Sequence, residues 1–85
     1  MEAVFTKHAK EKFDILQEHG VSISRTQVEE VLKSPDHIDR FRYPLLIAQG
    51  AWKSKRILRV IHRKENSLII VITFYPARIS HHDKI

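Results

Sequence analysis

Lys55-Arg56-Ile57-Leu58-Arg59-Val60-Ile61-His62-Arg63, the polar break Lys64-Glu65-Asn66, and Ser67-Leu68-Ile69-Ile70-Val71-Ile72-Thr73-Phe74-Tyr75 together decide the fold. Both flanks are rich in β-branched and aliphatic residues and bracket a turn signal, which predicts a β-hairpin. Arg59 stands among four aliphatics. A guanidinium in that setting is costly to bury, so one face of its strand must stay open to water or to an anion. Register then decides which side chains accompany it. A three-residue loop with Asn66 in the left-handed conformation pairs Arg63 with Ser67. One face then holds Leu58, Val60, Leu68, Ile70, Ile72 and Phe74, flanked by Arg56 and His62. The other holds Lys55, Ile57, Arg59, Ile61 and Arg63 with Ile69, Val71, Thr73 and Tyr75. A two-residue loop would put Arg59 beside Leu68, Ile70, Ile72 and Phe74 instead. The first register is the expected one, because it gives one dry face for helices and one mixed face for a site.

Outward from the hairpin, two further strands are expected over His37 to Tyr43 and Leu45 to Trp52, joined at Tyr43-Pro44 and followed by the turn Lys53-Ser54. Upstream the period changes. Ser24 and Gln27 fit a capping box, Val28, Val31 and Leu32 form an apolar stripe, and Ser34-Pro35 closes that helix. Before it, Thr6 is a plausible N-cap for a helix carrying Ala9, Phe13 and Leu16, with Gly20 as its stop. Residues 2–5 read as a short first strand. Each helix is apolar on one stripe only and needs a sheet to cover. The expected fold is therefore α+β, two N-terminal helices packed on one face of a small antiparallel sheet, as a single domain over 1–85 with a flexible tail at 79–85.

The composition narrows the function classes. A chain of 85 residues buries roughly 60–65% of its unfolded surface, so its core is thin. Cysteine is absent, which excludes disulfides and thiolate chemistry and fits a reducing compartment. No apolar run approaches the ~20 residues of a membrane span, and Met1 to Phe5 lacks the pattern of a secretory signal; a soluble cytoplasmic protein is expected. The formal charge of +5 suits a polyanion partner, nucleic acid or an acidic protein. Much of it falls in one run without acids, through Lys53, Lys55, Arg56, Arg59, Arg63 and Lys64. Exposed strand cations also serve solubility and discourage edge pairing.

Among single residues, Arg59 offers a planar, permanently charged fork for phosphate; it could equally pair with a carboxylate such as Asp39. Tyr75-Pro76-Ala77-Arg78 ends the last strand, and the proline is expected to stop the ladder and let Arg78 turn toward the open face. Lys12, Lys53, Lys55, Arg63 and Thr73 are candidate contacts to a polyanion such as nucleic acid. His8 and Lys12 meet at i and i+4 on the first helix, where a neutral histidine could act as a base or simply bond to nearby backbone. His19 suits a helix C-terminus, His37 the surface, and His62 the edge of the core. His81-His82-Asp83 does not preform a metal site, so no metal or other cofactor is expected. A phosphate loop and a nucleophile elbow are both lacking.

The segments Phe5-Thr6-Lys7-His8-Ala9-x-x-Lys12, Val21-Ser22-Ile23, Val28-Glu29-x-Val31-Leu32-x-x-Pro35 and Val71-Ile72-Thr73-Phe74-Tyr75-Pro76 resemble, in that order, a poorly characterised family of the RelE/ParE-like toxin superfamily. The likeness spans residues 4–78. It implies a compact sheet with helices on one side and a concave basic face on the other. In the ribonuclease branch that face holds messenger RNA, ribosome-bound in some members, and cleaves it without metal. Carried over, Arg59 and Arg78 would contact the phosphate and the transition state, and Tyr75 and His8 would handle protons. Lys12 stands where the family has a helix arginine, so the bidentate geometry is lost. The resemblance also implies an acidic antitoxin covering the basic face. The ParE branch instead acts on a protein, gyrase.

Overall fold

The computed structural model describes residues 2–78, so the expected tail at 79–85, with His81, His82 and Asp83, lies outside the described residues. Thr6 turns a first strand, β1 (Glu2–Phe5), into α1 (Lys7–Glu18); its hydroxyl accepts the Ala9 N–H at 3.1 Å. This fixes one of the otherwise unpaired amides of the first turn. α1 ends at His19, whose Nδ1 donates to the Ile15 carbonyl at 2.9 Å, and at Gly20, with φ +79°. That left-handed value is open to glycine at no steric cost. α2 (Arg25–Lys33) starts on the capping box read from Ser24 and Gln27, with both reciprocal bonds formed.

Four strands follow: β2 (His37–Asp39), β3 (Leu46–Lys53), β4 (Arg56–Glu65) and β5 (Leu68–Arg78). The spatial order is β1-β5-β4-β3-β2. The expectation of an antiparallel sheet needs correction, because β1 lies parallel to β5, Phe5 opposite Val71, and the sheet is mixed. The helix pair α1–α2 and three strands separate β1 from β5 in sequence, which allows the parallel pairing a tight turn would forbid. β2 stops at Asp39 rather than Tyr43; Asp39 Oδ1 takes the Phe41 N–H at 2.9 Å and folds the chain into turns. Local side-chain bonding of this kind competes directly with a strand ladder.

The central hairpin also departs from the expected register. Asn66 is left-handed, φ +56°, but the loop has two residues, Asn66-Ser67, with Glu65 opposite Leu68 and His62 opposite Val71. On its own this register would turn Arg59 toward the apolar set. The ladder then shifts: Ile61 faces Thr73, Val60 faces Phe74 and Arg59 faces Tyr75, leaving Ile72 as the extra residue of a β-bulge. Thr6 holds this point. Its N–H donates to the Val71 carbonyl at 3.1 Å and its hydroxyl to the Ile72 carbonyl at 3.3 Å.

Near the turn the faces are thus opposite to those expected, with Ile69 and Val71 in the core and Leu68 and Ile70 only half-buried. Beyond the bulge they are as expected: Leu58, Val60 and Phe74 are buried under the helices, and Arg59, Thr73 and Tyr75 share the other side. The core joins Phe5, Ala9, Ile23, Val28, Val31 and Leu32 to Ala48, Leu58, Val60, Ile69, Val71 and Phe74. Gly50 lets α2 sit close on β3; a Cβ there would come within 3.3 Å of Val31 Cγ2. Nor does Pro76 stop the ladder. It pairs with Leu58, and β5 runs on to Arg78 opposite Arg56. Because β1 ends opposite Val71, this half of β5 has an open edge, where a missing N–H is tolerated.

Candidate functional site on the open face

Strand alternation brings side chains from four neighbouring strands to one place on the uncovered face. Asp39 comes from β2, Ile47 from β3, Arg59 and Ile61 from β4, and Tyr75 from β5; Arg42 and Leu45 of the β2–β3 connection complete a recess of about 400 Å³. Arg59 is its centre. Its side chain is 16% exposed, with Nη2 3.7 Å from Asp39 Oδ2 and the guanidinium carbon 5.8 Å from the centre of the Tyr75 ring. At 3.7 Å the carboxylate supplies charge balance but not a hydrogen bond. Nε of Arg59 is buried without a protein acceptor, and so is the Thr73 hydroxyl, next along the same face of β5 from Tyr75. Buried donors almost always find partners, and a planar guanidinium has the geometry to bind an anion.

The expected residues divide clearly. Arg59 and Tyr75 line the recess, and Thr73 lies on the same face opposite Ile61. Arg63 also points to this face, opposite Ile70, and binds Glu65 at 3.1 Å. Arg78 is exposed at the end of β5 but, two residues on from Pro76, alternates to the helix side with Arg56. That corrects the expectation that the proline would turn it toward the open face. His8 is exposed in the first turn of α1, and Lys12 is half-buried one turn later; neither lines the recess. Lys53 lies over the Trp52 ring at 4.7 Å, and Lys55 occupies the left-handed position, φ +61°, of the β3–β4 turn.

Sequence reasoning missed Arg42, because Arg40 to Tyr43 reads as strand when the Asp39 turn is not foreseen. Asp39 was legible only as a possible partner of Arg59. On the covered face, His62 is 2% exposed, and its Nδ1 donates to the Val60 carbonyl at 3.2 Å. Burial pushes its pKa below 6.5; the Val60 carbonyl opposes that and the nearby Lys64 charge adds to it. It is a satisfied core residue. No group of three histidine, acidic or cysteine residues that could hold a metal occurs among the described residues, and no helix among them is long and apolar enough to cross a membrane.

Comparison with protein-family models, with curated proteins and with solved structures gives no match.

Proposed function

We propose that the open face binds RNA and cleaves it in the manner of a RelE-like toxin, without a metal ion. The observation that carries this reading is the under-partnered Arg59 guanidinium beside a carboxylate and a phenol in one recess. The reaction needs three things at one phosphate: a base for the 2′-hydroxyl, a cation for the developing charge and an acid for the leaving oxygen. Asp39 Oδ2 takes the 2′ proton as that oxygen attacks phosphorus. Arg59 neutralises the equatorial oxygens. The bond to the 5′ oxygen breaks as Tyr75 gives it a proton, leaving a 2′,3′-cyclic phosphate and a 5′-hydroxyl. Arg63, on the same face outside the recess, and Lys53 and Lys55, at the β3–β4 turn, are assigned to the flanking backbone, whereas His8, Lys12 and Arg78 lie on the helix side and take no part. An acidic antitoxin would be held in the cell by the same positive face.

Incubating the protein with RNA in a chelator, alone and with ribosomes, tests this. Wild type should give cyclic-phosphate ends, and Arg59→Ala, Asp39→Asn and Tyr75→Phe should each slow cleavage by roughly a hundredfold or more, the scale of a lost acid, base or charge stabiliser. The Arg59–Asp39 pairing favours a second reading, a non-catalytic RNA-binding module in which the carboxylate tunes the cation rather than taking a proton. Intact RNA bound with steep salt dependence would select it.

A further inference from the structure

The recess has a neighbour that the proposed chemistry does not use. Between β2 and β3 the chain runs Arg40-Phe41-Arg42-Tyr43-Pro44, and Phe41 is 91% exposed and Tyr43 76% exposed. Single exposed apolar residues are ordinary on a protein surface. Two aromatic rings this bare, alternating with two arginines in five residues, are not accounted for by packing.

The loop that holds them is tied down. Asp39 Oδ1 accepts the Phe41 N–H at 2.9 Å, the Arg40 carbonyl accepts the Tyr43 N–H at 3.0 Å, and the Arg42 carbonyl accepts the Leu45 N–H at 2.9 Å. The rings are therefore carried on a folded support, and less ordering remains to be done on binding. Asp39 also joins the two regions. One of its oxygens fixes the loop while the other faces Arg59. Arg42 belongs to both, since it lines the recess. Among the described residues neither Arg40 nor Arg42 has a carboxylate within ion-pair distance.

We propose that Arg40 to Tyr43 is a base-stacking platform for single-stranded RNA, placing unpaired bases on Phe41 and Tyr43 next to the phosphate held at Arg59. This rests on the RNA reading of the recess and adds that the substrate is single-stranded there. Stacking needs a bare ring face, and every base offers one, so it is tolerant of sequence; arginines alternating with the rings follow the backbone charge. An apolar partner helix would be served by the rings, but not by the two unpaired arginines that alternate with them.

Fluorescence anisotropy with a short unstructured oligoribonucleotide, a blunt RNA duplex and an abasic ribose-phosphate strand tests the proposal on the whole chain. Phe41→Ala and Tyr43→Ala should each weaken single-strand binding about tenfold and leave its salt slope unchanged. Arg42→Ala should lower that slope by about 0.7. Duplex and abasic strand should bind the alanine variants as they bind wild type, and Phe41→Trp should restore single-strand affinity. Losses under twofold, or equal losses on all three ligands, overturn the platform while RNA binding by wild type leaves the recess reading intact. Failure of wild type to bind any RNA removes both. Circular dichroism of the variants should be unchanged, since neither ring is buried.

Discussion

His62 and Arg59 stand three residues apart on β4, on opposite faces of the sheet, and show how differently the two faces are finished. Under the helices, burial lowers the pKa of His62, and its Nδ1 donates to the Val60 carbonyl. On the open side, Arg59 has a carboxylate at 3.7 Å and its buried Nε meets no protein acceptor. On the covered face His62 finds its acceptor within its own strand, although the indole N–H of Trp52, packed on the same core, finds none. On the open face the unpartnered donor belongs to a cation in a recess, and that is the observation behind the RNA reading.

The contrast can be broken most severely from the covered side. Phe74 is fully buried and packs on Phe13 at 4.6 Å between centroids. Phe74→Ala should cost about 3–5 kcal/mol in urea unfolding, a large part of the 5–15 kcal/mol typical of a domain. Next comes the junction that assigns the faces. Thr6→Val removes one hydroxyl that both caps α1 and holds the bulge carbonyl, and should cost about 1–2 kcal/mol. It should also broaden the amide resonances of Val71 to Thr73, and unchanged shifts there would deny the bulge its anchor.

The third test uses pH. Because His62 has a lower pKa folded than unfolded, the unfolded chain takes up the proton first as pH falls. Its contribution to stability is complete above about pH 6.5, the unfolded value, and declines below that until the folded pKa is reached. His62→Leu should flatten the unfolding free energy across that window; an unaltered slope would place the titration elsewhere. The smallest effect on stability belongs to the open face. Arg59→Ala should shift the unfolding free energy by no more than about 1 kcal/mol, since its ion pair is long and Asp39 is partly exposed. RNA affinity should nevertheless fall tenfold or more. A loss of stability matching that of Phe74→Ala would make Arg59 a core residue and erase the contrast.

Much of this was legible in the chain. The caps at Thr6 and Ser24, the stop at Gly20 and the left-handed Asn66 are local devices, each set by a few adjacent residues whose hydrogen bonds or steric freedom act over one turn. Alternation placed Arg59, Thr73 and Tyr75 together, and β4 and β5 do carry them to one face. That agreement is partly owed to compensation: a two-residue loop and a bulge together restore the parity a three-residue loop would have produced. Pro76 was read as a stop because the sequence cannot show that β1 ends opposite Val71 and leaves an edge free.

The sequence by itself determined most of the elements, their caps and the presence of one cation that its aliphatic neighbours cannot satisfy. Only the tertiary structure decided that β1 runs parallel to β5, that the bulge falls at Ile72, and that Asp39 and Arg42 meet Arg59. The reason is physical. Caps and turns are fixed by bonds a few residues long, whereas the site depends on which strands lie side by side, and that is settled by burying the apolar faces of the helices and strands together.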